Sequence, residues 1–344
     1  VSDNQMKYDS VLKAVPEGGS VTAEGDTLVV EDAEALTVYV SADTDYKNEY
    51  PEYRTGETAE ELHQKVEDTV EAAAAKSYDE VKQTHIEDYS SLFSRVDLDL
   101  GQTVSEKPTD ELLAAYNGGT ASEEERRQIE VMLFQYGRYL MLSSSRENSE
   151  LPSNLQGVWN NKNNPQWSSD YHMNVNLQMN YWPAYSTNLA ECADPLIRYV
   201  DSLREPGRVT ASVYAGIDSE NGEEIGFMAH TQNTPFGWTC PGWDFSWGWS
   251  PAAVPWILQN CWEYYEYTGD YDYMAENIYP MLREEAQLYN AMLVKDSDGK
   301  YVSSPAYSPE QGPRTAGNTY EQSLIWQLFT DAITAGKLVG EDEA

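Results

Sequence analysis

Apolar and polar residues alternate through the first 55 positions, most clearly in "SVTAEGDTLVVEDAEALTVYVSADT", residues 20–44. Alternation with a period of two, interrupted by Gly and Asp, predicts three or four β-strands joined by tight turns. Because so few strands are not enough for an independent sandwich, we expect this segment to be part of a longer β domain.

The period changes after Thr58, where apolar residues recur every three or four positions and predict an amphipathic helix. Its predicted buried face is Leu62, Val66, Val70 and Ala73. Ser77 and Glu80 form a capping-box pattern that predicts the start of a second helix. The buried face predicted for this second helix consists of Tyr78, Val81, Tyr89, Leu92 and Phe93. "RVDLDLG", residues 95–101, is then predicted to be a short strand.

Helical patterns dominate after Gly101. Ser122 and Glu125 form another capping box, before a helix with a predicted buried face of Ile129, Leu133, Tyr136 and Leu140. Further on, "PWILQNCWEYYEYTGDYDYMAENIYPMLREEAQLYNAML" predicts two helices separated at Thr268–Asp270, with Gly269 in the left-handed conformation. The patterns therefore predict three regions: 1–56, part of a β domain; 57–101, a helical linker; and 102–344, a mainly helical domain.

Charge excludes two classes of partner. The chain has 58 acidic and 22 basic residues, for a formal net charge of -36. Such a chain is repelled by nucleic acid phosphates and by anionic lipid surfaces. It contains no run of 18 apolar residues, so we expect no membrane insertion by this segment. The first residues do not resemble a signal peptide, and we expect any export signal to lie elsewhere.

The sequence gives little indication of disulfide, metal or cofactor chemistry. The three cysteines, Cys192, Cys240 and Cys261, are too scattered for a zinc site, and we predict buried apolar thiols, with a single disulfide as the alternative. No His, Cys and Asp cluster has ligand spacing, and no glycine-rich phosphate loop is present. We expect neither metal nor organic cofactor.

The aromatic composition of the chain indicates a class of ligand. The chain has 10 Trp and 25 Tyr but only 6 Phe, and every Trp lies between Trp159 and Trp326. Indoles that neighbour Asn, Gln and His suit sugars, whose C–H faces stack on aromatic rings and whose hydroxyls need fixed hydrogen-bonding partners. Packing in a helical core is the alternative for any single aromatic residue.

"DYHMNVNLQMNYWPA", residues 170–184, combines carboxamides and aromatics with little charge. Asn174 and Asn176 would point to the same side of an extended segment. The pair could hold one water or one sugar hydroxyl, because each carboxamide offers an acceptor oxygen and two donors. A loop that caps its own backbone is the alternative.

Five motifs, in order, carry a family resemblance: "LPSNLQGVWNN", "NVNLQMNYWPAYSTNLAE", "HTQNTPFGWTCPGW", "WGWSPAAVPWILQNCWEYYEYTGD" and "SPEQG". Together they resemble glycoside hydrolase family 95, the inverting α-L-fucosidases, over residues 77 to 344. The resemblance implies a mainly α chain with part of an (α/α)6 catalytic barrel, preceded by a partial β-sandwich and a helical linker.

The resemblance also implies a mechanism, in which a Glu is the general acid and two Asn residues hold the attacking water near an Asp. Asn174 and Asn176 match the Asn pair. His172 matches a substrate-facing position where fucosidases carry His and relatives that prefer L-galactose carry Thr. It therefore favours fucose, because an imidazole can pack on the methyl group and crowd out a 6-hydroxyl.

Glu310 in "SPEQG" matches the general acid, with Glu321 in "TYEQSLIW" as the competitor. Glu321 is predicted to lie at a helix start, where the helix dipole would lower its pKa. A general acid needs a raised pKa, so we prefer Glu310. Trp249 and His230 are predicted to bind substrate, and Trp243 and Trp247 have nearly the same claim as Trp249.

The family's Asp lies in the second half of the barrel, and no residue here can be assigned to it. We therefore expect the chain to be a fragment of a longer exported hydrolase, extracellular or at the cell surface, and the last helix to expose apolar residues. The predicted activity is release of terminal α-L-fucose, preferentially α-1,2-linked, from an oligosaccharide or glycoprotein glycan. The alternatives are an α-L-galactosidase and a glycan-binding fragment without activity.

Overall fold

A computed structural model of the chain describes residues 5–218, 225–242 and 244–341. Contacts divide the chain into two units, residues 1–92 and 93–344. The division lies inside the predicted helical linker, and the predicted boundaries after residues 56 and 101 stay predictions.

The first unit begins with four strands, as the alternation predicts: β1 Tyr8–Glu17, β2 Ser20–Glu24, β3 Thr27–Glu31 and β4 Ala35–Thr44. β1 pairs antiparallel with β4 from Tyr8 opposite Thr44 to Glu17 opposite Ala35, and β2 pairs with β3. These are two two-stranded sheets, so the sandwich stays a prediction.

Two helices follow, α1 Ala59–Ala74 and α2 Tyr78–Phe93. α1 packs on β1 and β4 through Leu62, Val66 and Val70, which are all buried as predicted. The capping box that begins α2 is also confirmed, since Ser77 and Glu80 bond to each other's backbone N–H groups. The buried face predicted for α2 is wrong at Tyr78 and Val81, which are exposed.

The second unit is mainly helical. Its longer helices are α3 Thr109–Asn117, α4 Glu123–Ser144, α7 Asp194–Ser202, α8 Arg204–Ala215, α10 Ala253–Thr268, α12 Tyr279–Met292 and α13 Thr319–Val339. Short helices are α5 Asn176–Tyr181, α6 Pro183–Ser186, α9 Phe245–Gly248 and α11 Tyr271–Tyr273. Single turns of 3-10 type lie at Gln166–Ser169 and Ala190–Ala193, and a π turn lies at Met274–Ile278.

Short strand pairs connect these helices: β5 Tyr171–His172 with β6 Gln232–Asn233, β7 Val294–Lys295 with β8 Tyr301–Val302, and β9 Ala306–Ser308 with β10 Gln311–Thr315. The core of the unit forms where α10, α12 and α13 pack on one another and α10 also contacts α5, α6 and α7. Gly269 ends α10 with a φ of 68°, as predicted.

Two other predictions for this unit are wrong. "RVDLDLG" forms no strand, because the carbonyl of Val96 accepts hydrogen bonds from the side chains of Gln135 and Arg138 instead of from a neighbouring strand. The capping box of α4 is confirmed, but Leu133 and Tyr136 are 71% and 57% exposed. Periodicity identifies a helix face, whereas burial depends on which element covers that face.

The remaining predictions hold in part. Cys192, Cys240 and Cys261 are all free thiols; Cys192 and Cys261 are buried as predicted, and Cys240 is half-buried. On α13, Trp326 and Ile333 are 67% and 52% exposed, as expected for this helix. Within the described ranges, no helix is both long enough and apolar enough to cross a bilayer.

Candidate active site

Four of the six predicted site residues meet at one cavity of about 570 Å³. They are His172, Asn174, Asn176 and Glu310. The cavity is also lined by Trp247 and by three residues to which the sequence motifs assign no role: Leu155, Trp167 and Gln232. Leu155 and Gln232 belong to the quoted motifs, so the only available signal for them was their position beside residues with a clearer role.

A larger and more open groove of about 920 Å³ lies along the first turns of α13. Its lining includes Gln259, Asn318, Gln322 and Trp326, and none of its lining residues is ionisable. Acid–base catalysis needs a titratable group at the reacting bond. The smaller cavity, which contains Glu310 and His172, is therefore the candidate active site.

β5 places the two Asn residues. Tyr171 and His172 pair with Asn233 and Gln232 of β6, and the backbone N–H of Met173 donates to Thr231 O at 2.7 Å. The chain then turns at Val175, with φ -177° and ψ -32°, and α5 begins at Asn176. The prediction of an extended segment is thus wrong, yet both carboxamides reach the cavity because the chain turns between them.

Asn174 faces the carboxyl group of Glu310. Its Nδ2 donates to Glu310 Oε1 at 3.4 Å, a long hydrogen bond between residues 136 positions apart in sequence. The Oδ1 atom of Asn174 is buried and accepts no hydrogen bond from the described residues. A buried acceptor without a partner is unfavourable, so this oxygen is ready to accept from a water or hydroxyl group.

His172 is held beside a carboxylate that the sequence analysis missed. Its Nδ1 lies 2.7 Å from Asp170 Oδ1, although the direction of the contact does not suit a hydrogen bond. A carboxylate this close to Nδ1 favours the tautomer with its proton on that nitrogen, because the negative charge repels the lone pair of an unprotonated nitrogen. Nε2 then remains for a ligand in the cavity.

Trp167 reaches the cavity from an unusual turn. Trp167, Ser168 and Ser169 have φ angles of 48°, 60° and 51°, in the left-handed region. Such backbone costs about 1 kcal/mol or more for each non-glycine residue and is found more often at functional sites. The turn ends at Asp170, immediately before β5, and the indole of Trp167 is 63% exposed.

The 3-residue and 5-residue strands β9 and β10 carry Glu310 at an exposed turn between them. The base of this hairpin is aromatic: the ring of Tyr307 meets Phe245 edge to face at 5.4 Å, and Phe245 stacks on Trp249 at 5.5 Å. The indole N–H of Trp249 donates to Pro305 O at 3.2 Å.

Trp249 and His230 are buried and are absent from the cavity lining. Trp249 is 9% exposed, and its ring centroid lies 4.9 Å from that of His230. His230 is fully buried, and its Nδ1 accepts from the backbone N–H of Ser250 at 3.0 Å. Burial lowers the pKa of His230 to about 3, so the ring is neutral. Direct contact of these two residues with substrate stays a prediction.

Trp247, by contrast, lines the cavity and is 56% exposed. Gly248 permits this placement, because a Cβ atom there would collide with the carbonyl of Pro241. Trp243 lies outside the described residues.

Glu321 lies outside the cavity lining and is fully buried. It is in the first turn of α13, as predicted, but the predicted effect on its pKa is wrong. Burial raises the pKa of Glu321, and this effect outweighs its hydrogen bonds, which lower it. The cost of desolvating a carboxylate is larger here than the stabilisation from a helix N-terminus.

The cavity has the features of a carbohydrate-processing site: a carboxyl group, carboxamides and exposed indoles around one space. Within the described ranges, no group of three His, Cys, Asp or Glu residues is arranged to hold a metal ion. The class of protein that this arrangement indicates is a glycoside hydrolase.

Comparisons with known proteins agree. The family model described as "Glycosyl hydrolase family 95 catalytic domain" matches residues 77–344. A second, "Glycosyl hydrolase family 65, N-terminal domain", matches residues 1–49. The chain belongs to glycosyl hydrolase family 95, which confirms the resemblance found in the sequence.

Two curated relatives are "Probable alpha-fucosidase A" of Aspergillus niger, 35% identical, and "Alpha-L-fucosidase 2" of Arabidopsis thaliana, 29% identical. Each match covers 98% of this chain but only 43% and 40% of the relative, so the chain spans about two-fifths of their length.

Among solved structures, "Putative kojibiose phosphorylase from human microbiome" matches with a TM-score of 0.66 at 12% identity. That match covers 98% of this chain and 40% of the other. Identity this low shows the fold alone.

Proposed function

We propose that this chain carries the site that releases terminal α-L-fucose from a glycan, with Glu310 as the general acid and a water held by Asn174 and Asn176 as the nucleophile. The observation that carries the proposal is the unpaired, buried Oδ1 of Asn174 beside the carboxyl group of Glu310. A proton donor and a free water acceptor thus share one cavity. Relatives named alpha-fucosidase support fucose as the sugar.

An inverting reaction needs space between these two groups. The acid protonates the leaving oxygen while water attacks from the opposite face, which requires a separation of about 6.5–9.5 Å between the acid and the group that activates the water. Asn174 and Glu310 are in contact at 3.4 Å, so a sugar can enter between them only if this long hydrogen bond opens. Glu310 is the side chain that can move, because it lies on an exposed turn.

The water would be held by carboxamide oxygens. Asn174 Oδ1 accepts one O–H of the water, and Asn176, at the first position of α5, offers a second carboxamide. An amide is a weak base, so its main contribution is to orient the water toward the anomeric carbon. The proton that the water loses passes to the Asp that the family resemblance implies beside the Asn pair, for which no residue of this chain is assigned. Inversion of the anomeric carbon follows from attack on the face opposite the leaving group.

His172 supports fucose over L-galactose. It lies on β5, where it pairs with Gln232 of β6, and both residues line the cavity. With a proton on Nδ1, its Nε2 atom can accept a hydrogen bond from one sugar hydroxyl. The α-1,2 linkage, a fucosylated oligosaccharide or glycoprotein as substrate, and an extracellular or cell-surface location are parts of the same proposal. An α-L-galactosidase is the less favoured alternative, since it would need room for a 6-hydroxyl.

We infer an architecture to match: the helices of the second unit form part of an (α/α)6 barrel, preceded by part of a β-sandwich. The packing of α10, α12 and α13 and the fold shared with the phosphorylase support the first inference. The match of residues 1–49 to a family 65 N-terminal domain supports the second.

Proton NMR of the chain with 2′-fucosyllactose tests the reaction. We expect new anomeric signals of free L-fucose in which the β anomer appears first, because inversion of an α-linkage gives β product. Release of the α anomer first would contradict the Asn-held water. Broadening of substrate signals without release would instead support a glycan-binding site without activity.

The Glu310→Gln variant tests the acid. We expect loss of hydrolysis of 2′-fucosyllactose by about 10²–10⁴-fold, and much less loss with α-L-fucosyl fluoride, whose leaving group needs little protonation. Glu321→Gln is the matched variant, since it changes the competing carboxyl group in the same way. If Glu321→Gln, and not Glu310→Gln, shows this dependence on the leaving group, the assignment is wrong.

A further inference from the structure

Glu321 is a buried titratable residue that the proposed chemistry does not use. Its side chain is fully buried, and its Oε1 accepts a hydrogen bond from the backbone N–H of Tyr307 at 2.8 Å. Its own backbone N–H donates to the side chain of Asn318, the N-cap of α13, at 2.8 Å. The carboxyl group therefore links the first turn of α13 to strand β9.

The neighbouring residue makes a second link. Gln322 Oε1 accepts from the backbone N–H of Ser303 at 2.9 Å, and its Nε2 donates to Tyr301 O at 3.2 Å. The N–H of Gly317 also donates to Ser303 O at 2.8 Å. Gln322 in the first turn of α13 thus holds the segment before the hairpin of β9 and β10, and the bond from Gly317 joins that segment to the one after the hairpin.

The bond to Tyr307 is a polar contact at a largely aromatic base. Tyr307 is 5% exposed, and its ring packs on Phe245, which stacks on Trp249. Tyr307 lies three residues before Glu310, so its backbone position sets where the turn between the strands begins. A shift at Tyr307 would move the Glu310 carboxyl group relative to Asn174.

We propose that Glu321 is a positioning residue that places Glu310 by holding the backbone of Tyr307. This role rests on the proposed function, because it assumes that Glu310 is the general acid. The Oε1 atom of Glu321 accepts from the backbone N–H of Tyr307, while Oε2 has no hydrogen-bond partner among the described residues. Burial raises the pKa of this carboxyl group above its usual value.

Two variants distinguish the hydrogen-bonding role of Glu321 from the effects of its side-chain volume and charge. Glu321→Gln keeps an oxygen that can accept from Tyr307 N–H, so we expect kcat within about 3-fold of wild type. Glu321→Leu keeps a similar volume but removes the acceptor and leaves a buried N–H unpaired. For Glu321→Leu we expect kcat to fall about 10-fold or more, with KM changed by less than about 3-fold, because misplacing the acid affects the transition state more than binding.

Hydrogen exchange at the amide of Tyr307 gives a readout that does not depend on activity. We expect this amide to be protected in wild type and in Glu321→Gln, and to exchange at least about 10-fold faster in Glu321→Leu. Protection in Glu321→Leu equal to wild type would overturn the proposal, whatever the activity. If Glu321→Leu does not fold, Glu321→Gln alone tests the positioning role. A folded Glu321→Gln chain with kcat about 100-fold lower on both 2′-fucosyllactose and α-L-fucosyl fluoride would overturn that role.

The two proposals fail in different ways. If wild type releases no fucose from either substrate, the proposed function fails and the catalytic role of Glu321 fails with it, while the exchange of Tyr307 still reports the contact. If wild type is active and Glu321→Gln loses activity only on 2′-fucosyllactose, Glu321 is itself the acid and the positioning role is wrong.

Discussion

The two segments that meet at the cavity are held in opposite ways. The segment with the Asn pair, residues 171–181, is anchored in the core: Tyr171, Met173, Leu177 and Tyr181 are at most 2% exposed. The hydroxyl of Tyr181 accepts from the backbone N–H of Ser153 at 2.8 Å. The hairpin with Glu310 has an outer strand, β10, in which every residue is exposed. Its buried contacts lie at the base, around Tyr307.

This difference assigns separate tasks to the two sides. A water-binding pair must stay fixed, because small displacements of a nucleophile greatly reduce its effect. The acid must move away from Asn174 to admit a sugar and then return, which suits an exposed turn on a fixed base. The predictions below test this contrast, beginning with the largest expected effect.

Asn174→Ala removes the carboxamide oxygen that we propose holds the attacking water, in the buried segment of residues 171–181. We expect kcat to fall by about 10²–10⁴-fold with KM changed only a few-fold, because the lost oxygen orients water instead of substrate. Rates with 2′-fucosyllactose test this, with Asn180→Ala on the following helix α5 as the control, since Asn180 lies outside the cavity lining. An equal loss of binding and rate would mean that Asn174 holds the sugar.

Leu177→Ala compares the stability of the two sides. Leu177 is 1% exposed, so truncation leaves a cavity and should lower the free energy of unfolding by about 2–5 kcal/mol. The matched change on the other side, Gln311→Ala on exposed β10, should change it by less than about 0.5 kcal/mol. Urea unfolding followed by Trp fluorescence measures both, since all 10 Trp residues lie in the second unit. Equal costs would contradict the contrast.

His230 should make the free energy of unfolding of the second unit depend on pH. Its folded pKa of about 3 is depressed from 6.5, so its contribution to stability is fully present above pH 6.5 and is lost as pH falls toward 3. The loss should be about 1.4 kcal/mol per pH unit, or about 2 kcal/mol between pH 6.5 and pH 5.

Unfolding of wild type and His230→Asn at several pH values isolates this contribution. The Asn variant keeps an acceptor for the N–H of Ser250 and should show a shallower loss of stability on acidification. The same change at His85, which is exposed on α2, is the control. Parallel pH profiles for wild type and His230→Asn would show that His230 does not titrate as expected.

Arg314→Gln should slightly destabilise the exposed hairpin of β9 and β10. The guanidinium of Arg314 lies 3.9 Å from the ring centroid of Phe245, a cation–π contact at the base of the hairpin. Its loss should cost about 0.5–1 kcal/mol and raise amide exchange in β9 and β10 a few-fold without changing exchange in α5. Arg314→Lys, which keeps the charge, is the control, and faster exchange in α5 would contradict the separation of the two sides.

Much of the site could be read from short motifs. Asn174, Asn176, His172 and Glu310 line one cavity, as the resemblance implied, because each motif carries its own local chemistry. Asp170 and Gln232 lie in the quoted stretches but received no role, because their residue types alone do not show which side chains face the cavity, and Trp167 lies outside the five motifs. His230 and Trp249, assigned from their residue types, are buried and absent from the cavity lining, and their contact with substrate stays a prediction.

The sequence by itself determined the elements that depend on neighbouring residues. The four strands, the capping boxes at Ser77 and Ser122 and the break at Gly269 follow from periodicity and capping, which act over a few positions. It also determined the family, through motifs in a fixed order.

Only the tertiary structure decided what depends on distant parts of the chain. It brought Asn174 within 3.4 Å of Glu310, exposed Leu133 and Tyr136 on α4, and turned the segment after Met173 into a helix start. It also reversed the expected pKa shift of Glu321, because burial by packing outweighs the local effect of a helix N-terminus. Burial and contacts between remote residues arise from packing, which no local pattern specifies.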